Sequence, residues 1–276
     1  VDGSSYLYRA FHALPPLSTA SGQPTGAVRG VVSMLRKLCQ QYPGTPVVVV
    51  FDAKGKTFRE DIYAEYKAHR PPAPEDLIPQ FALVREATRA FGVPAIELAN
   101  YEADDLIASY ATHVRDRGGE AVIVSSDKDL MQLVGDRVMM LDTMKNLKIG
   151  PDQVFDKFGV SPDKVVDLQA LTGDSVDNVP GAPGIGVKTA ALLINEYGDL
   201  DTVLARAGEI KQDKRRQTLI DFADQIRLSR ELVRLDVNTP MPVALEELVV
   251  DDPHGPALMA FLDEMEFRSL ARRVGD

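Results

Sequence analysis

The chain has 276 residues, 45% hydrophobic and 26% charged, with 41 acidic against 31 basic side chains and a formal net charge of −10. That length allows one large domain or two small ones, and the composition excludes wholesale disorder. The longest apolar run, Ala257–Leu262, is six residues where a membrane-spanning helix needs about 20, and an evenly spread acidic excess would argue against duplex binding.

Cys39 is the single cysteine, so no internal disulfide can form and a reducing compartment is favoured. Its plain reading is a small core residue on a helix. No basic-then-apolar leader is present. The chain opens at Val1 in VDGSSYLYRAF, a strand-to-loop junction whose strand is not in the sequence. It closes in RRVGD, so it reads as a segment of something longer.

In chain order, Gly26–Tyr42 carries Val28, Val31, Val32, Leu35 and Leu38 on one stripe and predicts a helix. Pro46–Phe51 (PVVVVF) is a short β-branched run that predicts a strand buried on both faces. Lys54–Pro74 is polar, ends in Pro71, Pro72 and Pro74, and is long for a connection. A helix over Glu75–Phe91, a strand over Pro94–Leu98 and a helix over Glu102–Arg117, stopped by Gly118 and Gly119, follow. Ala121–Val124 predicts another strand, and Arg137–Leu141 is a further candidate. Alternating strands and helices predict a parallel sheet flanked by helices. After Gly150 the strands vanish and helices follow over Pro151–Phe158, Ser161–Leu171, Lys188–Tyr197, Leu200–Ala207 and Lys214–Leu235. The expected organisation is an α/β core over residues 1–150 and an all-α part over residues 151–276.

Acidic residues sit where an α/β protein builds its site, beyond the carboxyl ends of strands. Asp2 follows the expected end of a first strand, Asp52 follows PVVVVF, and Asp127 and Asp129 follow Ala121–Ser126. Each alone also suits a helix cap or turn. Glu102, Asp104 and Asp105 open a helix, where acids also compensate the helix dipole. Asp174 and Asp177 lie three apart in TGDSVDN, which also suits a polar turn. Brought together, these nine carboxylates repel one another unless cations neutralise them. No His or Cys lies among them, so all-oxygen ligation points to Mg²⁺ or Mn²⁺ rather than zinc. Two such ions are a standard device for displacement at phosphorus.

The run PGAPGIGVKTA (180–190) leads into an apolar helix. It fits neither a dinucleotide-binding loop nor a Walker loop. It fits a helix-hairpin-helix, whose amides grip phosphates without reading sequence, or a plain interhelical turn. The loop 54–74 interleaves Lys54, Lys56, Arg59, Lys67 and Arg70 with Phe58, Tyr63 and Tyr66. Such a mixture suits single-stranded nucleic acid, or a solvated loop with a small apolar pin.

Six ordered motifs, VDGSSYLYRAFHAL, VVVVFDAKGKTFR with YKAHR, YEADD, SSDKDLMQL, ALTGDSVDN and the PG-GIG-KTA hairpin, resemble the 5′-nuclease domains of bacterial DNA polymerase I, within the flap endonuclease family. The resemblance covers nearly the whole chain. It implies a PIN-like α/β core with a mostly parallel central sheet, and a helical arch at about 54–74. It also implies a helix-hairpin-helix at about 174–197 followed by C-terminal helices. By motif it places Asp2, Asp52, Glu102, Asp104 and Asp105 near a first divalent cation, and Asp127, Asp129, Asp174 and Asp177 near a second. It implies that Lys67, Arg70 and Arg9 steady the scissile phosphate and that Tyr66 stacks on a base. Arg59 is expected among the DNA contacts. Gly184, Gly186, Lys188 and Thr189 are implied to clamp the duplex, with a monovalent cation (K⁺) on the hairpin carbonyls. Gln169 departs from the pattern, standing where some relatives place a basic residue that would contact phosphate.

The activity implied is metal-dependent cleavage of phosphodiesters at 5′ flaps, nicks and single-stranded 5′ ends of DNA and at RNA primers on DNA. The implied setting is a monomeric part of a polymerase, in the bacterial cytoplasm with the nucleoid. The alternatives are a stand-alone 5′ nuclease, a PIN-type ribonuclease, and a DNA-binding module that lost its chemistry. The net charge is compatible with all of these. Setting aside the nine carboxylates and Glu246, Glu247, Asp251, Asp252, Asp263, Glu264 and Glu266, basic residues outnumber the remaining acids.

Overall fold

The structure is a computed structural model that describes residues 1–251 and 255–275; Asp252 of the acidic run lies outside them. In chain order the elements are α1 (Gly3–Ala13), α2 (Gly26–Gln41), β1 (Val49–Val50), α3 (Phe58–Ile62), α4 (Gln80–Ala90), β2 (Ala95–Ile96) and α5 (Ala103–Asp116). Then come β3 (Ala121–Val124), β4 (Val138–Asp142), β5 (Leu147–Ile149), α6 (Pro151–Phe158), α7 (Val165–Thr172), α8 (Val187–Tyr197) and α9 (Leu200–Ala205). The last are α10 (Asp213–Asp221), α11 (Ala223–Val233), α12 (Gly255–Glu264) and α13 (Arg268–Gly275). No helix among the described residues is long and apolar enough to cross a membrane.

The chain divides into two compact units that interleave along the sequence. Residues 1–53, 72–98 and 240–276 form the first, and residues 54–71 and 99–239 form the second. Sequence reading places one boundary at residue 150. Contacts instead keep α6 to α11 with the second α/β part and return the terminal helices to the first.

In the first unit β1 and β2 pair in parallel, Val49 opposite Ala95 and Val50 opposite Ile96. Val50 N–H donates to Val1 O at 2.9 Å, and Asp2 makes a parallel bridge to Val50, so the first two residues extend this sheet. The strands are shorter than PVVVVF and its neighbours predict. Helix α1 was not expected. Asp2 caps it, accepting from Ser5 N–H at 3.3 Å, and Tyr6, Leu7 and Ala10 form its buried stripe. The stripe of α2 is buried as predicted, and Val28 N–H donates to the Gln80 side chain of α4. Each fully buried Leu or Val here contributes about 1.5–3 kcal/mol relative to exposure.

In the second unit β3 and β4 pair in parallel over four residues, and β4 turns back antiparallel onto β5. The strands therefore lie in two small sheets rather than one central sheet. The expected helix 214–235 is two helices that meet at Phe222, and 161–171 begins as a 3₁₀ turn (Pro162–Lys164) before α7. In the loop 54–74, only Phe58–Ile62 is helical.

Candidate metal centre

In the second unit, Asp127 follows β3 after Ser125 and Ser126 and caps a 3₁₀ turn, its carboxylate accepting from Asp129 N–H at 2.9 Å. That geometry aims Asp129 toward the loop after α7. The loop is a closed turn, with Asp174 and Val179 exchanging backbone hydrogen bonds at 3.0 and 2.8 Å. Behind it, Gly173 (φ +67°) and Gly181 (φ +60°) meet so closely that a Cβ on Gly181 would lie 2.3 Å from Gly173 N. The turn thus holds Asp174 and Asp177 at a fixed place. Carboxylate oxygens of Asp129, Asp174 and Asp177 lie within 4.8 Å of one another, and those of Asp104 and Asp127 are equally close.

Such crowding perturbs proton binding. Burial, with the neighbouring Asp127 charge, pushes Asp129 up to about 7 despite a hydrogen bond from Gln169. Burial also raises Asp127. The cluster gathers cations from the protein: Lys128 Nζ sits 2.9 Å from Asp174 Oδ2, and Arg70 pairs with Asp177. Burial would lower Lys128 and Arg70, but these carboxylates hold both above their ordinary values.

Beside it, α5 opens at Glu102. Burial would raise the Glu102 pKa, but Lys67 and Arg59 hold it below the ordinary carboxylate range. Lys67 pairs with Glu102 Oε1, and Tyr66 O–H lies 3.1 Å from Oε2. Lys67 has a left-handed backbone (φ 56°), and its N–H donates to Asp177 O at 2.8 Å. Asn178 Nδ2 donates to Glu65 O at 2.6 Å, a second tie between the loop and the turn.

Three of the expected site residues are buried among protein partners. Arg59 is 1% exposed and bound to protein acceptors, so it presents nothing to DNA. Tyr66 is 6% exposed, packed with Val179, Leu232 and Val233, so its ring offers no face to a base. Asp105 is 0% exposed with both oxygens taken by N–H donors, so it presents no lone pair to a cation. Gln169 is also buried, and its Nε2 donates to Asp129 Oδ1 at 2.9 Å rather than facing a phosphate. Sequence reasoning missed Lys128, although its position between Asp127 and Asp129 was the available signal.

In the first unit, Asp2 is buried at the start of α1, while Asp52 follows β1 and is exposed. Ser4 Oγ accepts from Asp52 N–H at 2.9 Å, and Arg85 donates to Asp52 O at 2.9 Å. Arg9 lies on α1, over the Tyr6 ring. In the second unit the hairpin tip is open: Gly184, Gly186 and Lys188 are exposed, Thr189 is half-buried, and buried Ile185 anchors the tip. Gly186 caps α8, whose first amides have no side-chain cap.

The oxygen-only donor set of Asp129, Asp174 and Asp177 fits a hard divalent cation. A cation held there would offset the burial and the neighbouring Asp127 charge that raise Asp129.

A family model described as 5′-3′ exonuclease, N-terminal resolvase-like domain, matches residues 1–159, and one described as 5′-3′ exonuclease, C-terminal SAM fold, matches residues 160–255. DNA polymerase I of Rhizobium leguminosarum is 55% identical, covering 100% of this chain and 28% of that protein. The chain therefore spans under a third of that relative. The 5′-3′ exonuclease of Aquifex aeolicus is 40% identical, covering 99% of this chain and 93% of that protein. Among solved structures, T5 5′-exonuclease with bound zinc ions superposes with a TM-score of 0.72 at 21% identity, covering 100% of this chain and 98% of that one. The catalytic core of Rad2 in complex with DNA substrate does so at 0.59 and 19%, covering 96% and 86%. These likenesses establish the fold: a PIN-like, resolvase-type α/β part with a helical SAM-like part. With two family models matched in order and the Aquifex exonuclease matched along nearly its whole length, the chain belongs to the 5′-3′ exonuclease family.

Proposed function

We propose that the chain is a structure-specific, metal-dependent 5′ nuclease that hydrolyses phosphodiesters at 5′ flaps, nicks and single-stranded 5′ ends of DNA, and at RNA primers on DNA. The observation that carries this reading is the Asp129–Asp174–Asp177 group, three carboxylates within 4.8 Å on a rigid turn. These residues would hold one divalent cation. Asp2, Asp52, Glu102, Asp104 and Asp127 enter the proposal as ligands by motif match to the family. Mg²⁺ or Mn²⁺ held by these residues would activate water and offset charge on the leaving oxygen, and the expected products are a 5′-phosphate and a 3′-hydroxyl.

The protein's own groups do the rest. Lys67 and Arg70 rest on carboxylates here. Cations at the acids would free both to hold the scissile phosphate, where fixed positive charge is worth most. Arg9 is proposed for the same work by motif. The exposed Gly184, Gly186 and Lys188, with half-buried Thr189, support a duplex clamp, and by motif the hairpin carbonyls would hold K⁺. We place the enzyme in the cytoplasm with the chromosome. Polymerase relatives longer than this chain favour a nuclease joined to polymerase domains, and the Aquifex exonuclease favours a stand-alone one.

The test is cleavage of a labelled 5′-flap substrate with Mg²⁺ and with EDTA. Cleavage with Mg²⁺ alone, leaving a 5′-phosphate, is expected. Binding without cleavage under both conditions would establish a non-catalytic DNA-binding module instead.

A further inference from the structure

Arg59 lies in the second unit, on α3, and every one of its five N–H donors has a partner. Nε donates to Leu232 O at 2.8 Å, and Nη2 donates to Arg234 O at 2.9 Å. These carbonyls belong to the end of α11, where helical carbonyls lack intrahelical partners. Nη2 also donates to Asp105 Oδ1 at 2.8 Å, and Nη1 donates to Asp105 Oδ2 and to Glu102 Oε2, each at 2.6 Å. One side chain thus fastens the 54–71 segment, the start of α5 and the end of α11.

Asp105 is saturated in turn. Oδ1 accepts from Arg59 and from Asp236 N–H at 2.9 Å, and Oδ2 accepts from Arg59 and from Glu102 N–H at 3.2 Å. A carboxylate has about four acceptor sites, and four are filled. A cation ligated by Asp105 would have to strip these donors in a place with no solvent exposure. Glu102 is arranged differently. Arg59 pins Oε2, while Oε1 pairs with the partly exposed Lys67 side chain, and the buried Tyr66 O–H lies 3.2 and 3.1 Å from the two oxygens.

We propose that Arg59 is a positioning residue that aims the Glu102 carboxylate, and that Asp105 is its counter-ion and not a cation ligand. This rests on the metal-nuclease reading above. The family resemblance places Asp105 beside the first ion; here it acts on that ion only through Arg59 and Glu102. Lysine cannot replace Arg59, because three donors on a flexible stem do not match five acceptors around a planar fork.

The test is a double-mutant cycle on the full chain, R59M, D105N and the pair, read by Mn²⁺ affinity from the free-ion electron paramagnetic resonance signal, without substrate. Each single change is expected to weaken Mn²⁺ binding about tenfold, as for residues that orient a ligand. The pair should be no weaker than about threefold beyond the worse single, since both act by one route. An additive loss, about a hundredfold, means Asp105 touches the ion directly and overturns the proposal. Unchanged affinity in both single variants overturns it equally. If a thermal melt shows that R59M does not fold, R59K takes its place in the cycle, with the same criteria. Failure of the wild type to bind Mn²⁺ would instead sink the metal-nuclease reading itself.

Discussion

Gln169 gives its amide to Asp129 Oδ1 at 2.9 Å, from a side chain 2% exposed whose own Oε1 has no donor among the described residues. The bond favours the ionised carboxylate, so its loss raises the Asp129 pKa further above about 7. Replacing Gln169 with Leu should weaken Mn²⁺ binding about tenfold at pH 7, a cost of about 1.4 kcal/mol. The deficit should shrink at pH 9, where Asp129 is ionised regardless. Equal losses at both pH values would rule out this route.

The same group sets a pH dependence of stability. In the metal-free chain the folded Asp129 pKa of about 7 lies above its ordinary 3.8. Between these values the folded state binds a proton that the unfolded state does not, so stability falls as pH rises through the window. Asp129→Asn should therefore raise the melting temperature in EDTA at pH 8 and leave it unchanged near pH 3.5. Mg²⁺ should stabilise the wild type more at pH 8 than at pH 5.

Removing Asp127 or Asp177 tests the carboxylates individually. Asp127→Ala and Asp177→Asn should each cut flap cleavage by at least about 10²-fold. Flap binding, measured by fluorescence anisotropy in EDTA, should stay within about threefold, because phosphate contacts elsewhere carry affinity. Cleavage at the wild-type rate by Asp127→Ala would show that this carboxylate is not needed.

Cationic residues should separate by role. Lys67→Ala should lower kcat by about 10²-fold with little change in flap affinity. Lys188→Ala should weaken binding across all duplex sequences and reduce the salt slope of log K by about 1. A sequence-dependent loss for Lys188→Ala would point to base reading instead.

Gly181→Ala probes the turn that carries Asp174 and Asp177. The backbone is left-handed there, and the new Cβ would press on Gly173 and Thr172 main-chain atoms. Destabilisation of about 2–3 kcal/mol is expected by urea unfolding. Gly184→Ala, with open space around the hairpin tip, should cost less.

Residues beside local signals were readable in the sequence. Asp52 and Asp127 each follow a β-branched run, and the stripe of α2 announces its buried face. The partners of those residues were not readable. Arg59 looked like one cation among five in a polar loop, because nothing local says that it meets Glu102 and Asp105, 43 and 46 positions away. Tyr66 reads as a base-stacking residue for the same reason, although its neighbours come from α11 and the 174–179 turn. Helix α1 is not legible because Asp2 reads as a strand end, while it serves as both sheet partner and helix cap. Strand β5 was missed because only Ile149 of its three residues is buried.

The interleaving of the two units bears on how the chain is made. All parts of the second unit have been synthesised once Thr239 is reached, and most of it is one continuous stretch. The first unit starts at Val1 yet draws in residues beyond Pro240, including α12, which packs on α4. During translation, the face of α4 that packs on α12 must wait for that last contribution, an interval in which a chaperone or an aggregate could claim it. The part begun first is therefore finished last, and truncation after Thr239 should spare the second unit while leaving the first open.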